Sequence, residues 1–189
     1  MLPLNIPNVL TLLRIVAVPV IVVALLGETP NGDALAAGVF ALAAFTDGLD
    51  GYIARRREDV TTFGKLMDPL ADKLLIVAAL VSLVSLGRLA AWVAMVIIAR
   101  ELAVTGLRAV AVEQGVVISA SWLGKLKTAL QIAAVFALII WDPSPVAVDV
   151  LVYLAVAATV ISGADYFFGL RRRLVTDRVR RTAAKTESG

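Results

Sequence analysis

Apolar residues run through this chain in blocks of roughly 18–24, the length of helix needed to cross a hydrocarbon core of about 30 Å. Five blocks cover about residues 9–26, 34–54, 69–86, 89–112 and 123–140, and a sixth ends near Leu170. The breaks between them are short and polar. GETPNGD (27–33), Gly87–Arg88 and WDPSP (141–145) form one set of joints, and residues 55–67 and 113–121 form the other. The pattern predicts an all-α integral membrane protein, a bundle of six transmembrane helices. Residues 3–8, PLNIPN, predict a short interfacial segment ahead of the first helix, with Asn8 as its N-cap. One membrane domain is expected over residues 1–170. A basic cytoplasmic tail, 171–189, should start helical and fray at its end.

Composition agrees with the pattern. Of 189 residues 60% are hydrophobic, with a mean hydropathy of +0.89, against roughly 45–50% apolar in soluble domains. The chain has neither cysteine nor histidine. That excludes disulfides, thiol chemistry, Cys/His zinc sites and a histidine base, and leaves hard cations held by oxygen and carboxylate bases. The N-terminus, MLPLNIPNVLTLLR, lacks the basic region of a cleavable signal.

Charge orients the bundle. The joints at 27–33, 87–88 and 141–149 hold a single basic residue, Arg88. The opposite joints and the tail hold Arg55, Arg56, Arg57, Lys65, Arg108, Lys125 and Lys127, with seven more from 171 onward. The positive-inside rule then places both termini, and the mouth between the second and third helices, in the cytoplasm of a multi-pass plasma-membrane protein.

That mouth carries the chemistry. DGLDGYIARRREDVTTFGKLMDPLAD (47–72) contains Asp47, Asp50, Asp68 and Asp72. Asp47, Asp50, Gly51, Ala54 and Arg55 share one helical stripe, and Gly64, Asp68 and Asp72 share another. Aspartates near a helix end often only face water. Four converging carboxylates, however, repel one another unless a cation joins them, and oxygen ligands favour Mg²⁺, Mn²⁺ or Ca²⁺ over zinc. Gly51 and Ala54 leave the groove open, and Arg55 and Arg56 can reach phosphate. Carboxylate-held metals beside arginines suit phosphoryl chemistry.

These residues read D-x2-D-G-x2-A-R-x8-G-x3-D-x3-D with no position missing. The stretch resembles the signature of the CDP-alcohol phosphotransferases, which are six-helix membrane bundles and typically dimers. The resemblance implies that an alcohol attacks the β-phosphorus of a CDP-linked lipid and releases CMP. It also implies a two-metal Mg²⁺ or Mn²⁺ site of Asp47, Asp50 and Asp68 lined by Asp72, with Asp72 as the general base. Gly51, Arg55 and Thr61, beside Asp47 and Asp50, would hold the cytidine diphosphate. No nucleic acid partner is expected.

The acceptor must be read elsewhere. Arg100, Arg108, Lys125 and Lys127 are basic residues at the cytoplasmic side. Arg100 and Glu101 inside a span must be paired or functional; a structural bond to a neighbouring helix is one outcome, a phosphate ligand the other. Arg108 and Lys125 are either acceptor ligands or snorkelling anchors. NIPNVLTLLR (5–14), IIARELAVTGLR (97–108) and GKLKT (124–128) are similar to the glycerol-3-phosphate branch of that family, the phosphatidylglycerophosphate synthases. In that branch Asn8 and Thr11 would lie near the nucleotide, and Arg108 and Lys125, with Arg100 beside them, near the acceptor phosphate. The substrates implied are CDP-diacylglycerol and glycerol-3-phosphate in a lipid membrane, handled by a homodimer. An inositol phosphate or phosphatidylglycerol acceptor is the alternative within the family. Outside it, an intramembrane prenyltransferase would carry its acidic motifs on separate helices, and a cation transporter would place carboxylates at mid-membrane within repeats.

Overall fold

Arg88, the lone basic residue of the short joints, ties together three of them. In the computed structural model its guanidinium donates to Asp33 at 2.9 Å, approaches Asp142 at 2.9 Å and donates to the carbonyl oxygen of Ile139 at 3.3 Å. The structure describes the backbone of residues 6–27, 29–53, 62–113 and 122–187, and the side chains of 9–27, 29–46, 70–113 and 122–172. Six α-helices make up the regular structure of these residues: α1 (Ile6–Leu26), α2 (Gly32–Ile53), α3 (Thr62–Ser85), α4 (Ala91–Glu113), α5 (Trp122–Ile140) and α6 (Val146–Glu187).

Three stretches among the described residues are long and apolar enough to cross a bilayer: Val9–Leu26, Trp122–Ile140 and Val146–Arg172. The apolar part of α2, Gly32–Thr46, is shorter. α3 carries Lys65, Asp68, Asp72 and Lys73, and α4 carries Arg100, Glu101 and Arg108. Those charges dilute the two helices below a plain apolar span.

Three boundaries differ from the sequence reading, the first being that α3 starts at Thr62, inside the joint expected over 55–67. α1 begins at Ile6, so Asn8 lies in its first turn and not at the cap. Pro7 permits this, since the first turn of a helix has no intrahelical use for its N–H groups. At the other end α6 runs on for 42 residues, absorbing most of the basic tail. No glycine or proline interrupts residues 170–187, and Arg, Leu, Ala and Lys are good helix formers.

α1 packs on α2 and α3, α6 packs on α5 and α4, and α2 and α3 both meet α5. The interior is built largely of small side chains, with Ala17, Ala24, Ala36, Ala37, Ala79, Ala94, Ala134 and Ala155 around Ile21, Phe40, Leu80 and Ile139. Outside, Leu13, Val16, Val23, Leu42, Phe45 and Met95 are exposed. Small residues inside let helix backbones approach, and large apolar ones outside suit a lipid solvent. Trp92 stacks on Tyr153 with ring centroids 6.3 Å apart, joining α4 to α6.

At the turn end Gly87 takes a positive φ of 72°, a conformation costly for other residues, and the reversal delivers Arg88 to its two carboxylates. The Asp33 hydrogen bond holds the Arg88 guanidinium above its already high ordinary pKa. Side-chain exposures of 40% for Asp33 and 50% for Asp142 mean that solvent screens both pairs. Arg88→Gln should therefore cost only about 1–2 kcal/mol, a fall of about 2–8 °C in melting temperature, measurable by thermal unfolding in detergent. No change in melting temperature would show that the three-joint clasp contributes nothing to stability.

Candidate active site

The aspartate motif occupies the ends of two helices. Residues 47, 50 and 51 lie in the last turns of α2, and 64, 68 and 72 lie in the first turns of α3. Of its side chains the structure describes only that of Asp72; those of Asp47, Asp50, Gly51, Arg55 and Asp68 lie outside the described residues, as do Thr61 and the side chain of Asn8.

Asp72 is bound from α1. Arg14 Nη1 lies 2.5 Å from Asp72 Oδ1, with the Arg14 side chain 2% exposed and that of Asp72 38% exposed. The sequence explains the meeting. Thr11, Arg14, Ala17, Ile21, Ala24 and Leu25 are all buried and recur at helical spacing, so α1 turns one stripe inward. An arginine on that stripe, two turns into an apolar helix, needs an anion. α3 packs on α1 and supplies one, beside the buried Ala71. Thr11, expected near the nucleotide, is buried one turn before Arg14.

A second charge cluster lies on α4, α5 and α6. Arg100 Nη1 donates to Glu101 Oε1 at 3.0 Å and Arg100 Nη2 donates to Ser162 Oγ at 2.9 Å. The Ser162 hydroxyl in turn donates to the carbonyl of Thr159 at 3.2 Å. Lys127 Nζ donates to the same Glu101 oxygen. Gly163 makes room for Arg100, because a Cβ there would meet Arg100 Cγ at 3.2 Å. Lys73, next to Asp72, connects the two clusters: it lies within electrostatic reach of Glu101, Arg108 and Asp72, and Lys127 is in turn within reach of Lys73. Two sets of polar contacts on five helices result, Arg14 with Asp72 between α1 and α3, and Lys127, Arg100 and Ser162 around Glu101 between α4, α5 and α6.

The expected acceptor residues fall in three different settings. Arg100 is partly buried and engaged by Glu101 and Ser162, as a structural bond between helices would be. Arg108 is exposed and stands over the Tyr166 ring, 5.8 Å from its centroid. That ring packs with Leu107, Ala111 and Leu170. Lys125 is exposed, whereas Lys127 is buried. α5 buries Lys127, Gln131, Ala134, Val135 and Leu138, a stripe that Lys125 misses. That stripe is visible in the sequence as a lysine and a glutamine continuing an apolar face. Sequence reasoning also passed over Lys73, Glu101 as the partner of Lys127, and Arg14 as the partner of Asp72. A lone arginine in an apolar run was the signal for the last.

No group of three or more metal-ligating side chains comes together among the described residues. The chemistry of the donor set nevertheless fits a hard divalent cation. Asp72 is a partly exposed carboxylate at the α3 end of the motif, and the other three candidates are also carboxylates on the two helices that open there.

Comparison with other proteins agrees with the motif. The family model described as CDP-alcohol phosphatidyltransferase matches residues 4–161. A CDP-diacylglycerol–glycerol-3-phosphate 3-phosphatidyltransferase of Bacillus subtilis is 45% identical over 181 residues, covering 86% of this chain and 93% of the relative. A probable phosphatidylglycerophosphate synthase of Mycobacterium tuberculosis is 46% identical over 167 residues, covering 86% of this chain and 79% of its own. A CDP-diacylglycerol–glycerol-3-phosphate 3-phosphatidyltransferase of Rickettsia bellii is 37% identical over 169 residues, covering 86% and 93%. The matched region takes in α1 with Arg14, the complete aspartate motif and the Arg100–Glu101–Lys127 cluster, and on that footing the chain belongs to the CDP-alcohol phosphatidyltransferase family.

Proposed function

We propose that this chain transfers the phosphatidyl group of CDP-diacylglycerol to glycerol-3-phosphate, forming phosphatidylglycerophosphate and releasing CMP. The observation that carries the reading is the excess of cations over two described carboxylates, Asp72 and Glu101. Arg14 meets Asp72, and Arg100 and Lys127 meet Glu101, with Lys73 next to Asp72 on α3 and Arg108 two turns after Glu101 on α4. Such an excess of cations suits substrates that bring phosphates. The relatives named for this reaction, at 37–45% identity, support the same acceptor.

In this reading Asp47, Asp50, Asp68 and Asp72 hold Mg²⁺ or Mn²⁺, which when bound neutralises the diphosphate and stabilises charge on its oxygens. Asn8, Thr11, Gly51, Arg55 and Thr61 receive the cytidine diphosphate. Asp72 takes the proton of the acceptor hydroxyl as the new oxygen–phosphorus bond forms. The bond from that phosphorus to the CMP oxygen breaks, and CMP leaves with the electron pair. Arg14 fixes the Asp72 side chain on α3 from its buried place on α1. Arg108 and Lys125 meet the acceptor phosphate, while the contacts of Arg100 with Glu101 and Ser162 favour a holding role. Six spans and a plasma-membrane homodimer complete the reading, with cytoplasmic termini supported by the charge asymmetry of the joints. Residues 1–170 form its membrane domain and 171–189 its basic extension against anionic headgroups.

The test is purified protein with CDP-diacylglycerol, Mg²⁺ or Mn²⁺, and radiolabelled glycerol-3-phosphate. Release of CMP with equimolar labelled lipid is expected. Absence of CMP release with every acceptor tried would overturn the reading, and release only with an inositol phosphate or phosphatidylglycerol would overturn its acceptor.

A further inference from the structure

We propose that Tyr166 on α6 is a positioning residue for Arg108 on α4: its ring sets the guanidinium in place and leaves the charge and N–H donors of that arginine free for an anion. The inference rests on the transferase reading above, in which Arg108 meets the acceptor phosphate, and names the part of the fold that aims it.

The ring is held by its own packing. Tyr166 and Leu170 stand one turn apart on α6, Leu107 and Ala111 one turn apart on α4, and the four form a small apolar cluster where the two helices meet. Arg108 directly follows Leu107, and its guanidinium carbon lies 5.8 Å from the centroid of the Tyr166 ring. A cation within about 6 Å of such a centroid is drawn to the electron-rich face. The hydroxyl does not explain the residue. Tyr166 Oη is buried and has no hydrogen-bond partner among the described residues, so a phenyl ring would fill the place without stranding a polar group. The ring face is the part that acts.

Arg108 is held differently from the other arginines of the bundle. Arg14 has Asp72 as its anion, Arg88 has Asp33 and Asp142, and Arg100 has Glu101. Arg108 is exposed and makes no ion pair among the described residues. A carboxylate fixes a guanidinium by occupying its edge donors and cancelling its charge. A ring fixes it through the face, and the five N–H groups at the edge stay available to an anion. An exposed arginine with neither partner spreads over many rotamers, and a ligand must order it on binding. Tyr166 orders it beforehand, which lowers that cost.

Steady-state CMP release by the full-length protein tests the role, with glycerol-3-phosphate varied at saturating CDP-diacylglycerol. Tyr166→Met fills the space beside Leu107, Ala111 and Leu170 without a ring. It should raise KM for glycerol-3-phosphate about fivefold, while kcat and KM for CDP-diacylglycerol stay at their wild-type values. Tyr166→Phe keeps the ring and should match wild type in KM and in melting temperature. In an Arg108→Met chain, Tyr166→Met should raise KM no further, because the ring acts through the arginine it holds. Tyr166→Leu takes the place of Tyr166→Met in these comparisons should the latter fail to fold. Three outcomes overturn this inference and leave the transferase reading standing: a wild-type KM in Tyr166→Met, a KM in Tyr166→Phe as high as in Tyr166→Met, or an equal rise with and without Arg108. A wild-type KM in Arg108→Met removes Arg108 from the acceptor site and the inference with it. A wild type that accepts no phosphorylated alcohol overturns the acceptor reading itself.

Discussion

Asp72→Asn is expected to lower turnover by about 10²–10⁴-fold, the usual contribution of a positioned general base, while the protein still binds CDP-diacylglycerol. The amide has nearly the shape of the carboxylate and cannot take the acceptor proton. A complication comes from α1, because Arg14 is 2% exposed and Asp72 is its anion. Losing one partner of a buried pair leaves the other charge uncompensated, at about 3–5 kcal/mol in buried cases. The partial exposure of Asp72 moderates that figure here. A two-by-two cycle separates the effects. If the single variant fails because Arg14 is stranded, Arg14→Met in the same chain should restore turnover. If Asp72 is the base, the double variant should regain stability and stay inactive. Near-normal turnover in Asp72→Asn would remove the base assignment altogether, and retained nucleotide binding, measured by equilibrium titration, shows that the variant has folded.

The helices were legible because they depend on local pattern. Breaks at 27–33, at Gly87–Arg88 and at 141–145 fall where the structure has its turns, since glycine, proline and polar residues interrupt apolar runs there. The start of α1 lies three residues earlier than a cap at Asn8 implies, at Ile6 and not Val9, because Pro7 is at home in a first helical turn. The sixth span ends where charge marks it, at Arg172, but the helix runs on to Glu187 past the point where the tail was expected to fray, because charge marks where a membrane ends and not where a helix must. The aspartate motif stood out since its spacing is itself the signal.

What the sequence withheld is which charges meet. Arg14 plainly needed an anion, but several carboxylates were on offer and only the packing of α1 on α3 selects Asp72. Arg100 and Glu101, adjacent in sequence, do pair, and only the fold shows that Arg100 also reaches Ser162 and that Glu101 also takes Lys127. Lys125 and Lys127 look equivalent in GKLKT until the buried stripe of α5 separates them. Arg88, Asp33 and Asp142 belong to three unrelated joints and converge only because those joints share one end of the bundle.

Chelation of divalent cations should abolish transfer, and the accompanying change in stability tells more than the loss of activity. A ligand at about 100 times its Kd adds about 2.7 kcal/mol to the folded state, which for a chain of this size is about 5–11 °C in melting temperature. Activity and melting temperature should therefore fall together in EDTA and return with Mg²⁺ or Mn²⁺. The sign of an aspartate substitution should also depend on the cation. Without metal the motif carries like charges, which repel by about 4 kcal/mol per pair at 4 Å under an effective dielectric constant near 20. Asp50→Asn relieves part of that repulsion, so it should melt above wild type in EDTA and below it in Mg²⁺, where a ligand has been lost. Asp72→Asn should not follow this pattern. Its carboxylate compensates Arg14, so its removal in EDTA exchanges one electrostatic cost for another and brings little or no gain. Thermal unfolding of wild type and both variants, with and without Mg²⁺, checks the contrast. Full transfer in EDTA would overturn the metal site. Melting of Asp50→Asn below wild type under both conditions would mean that the aspartates do not converge on a shared cation.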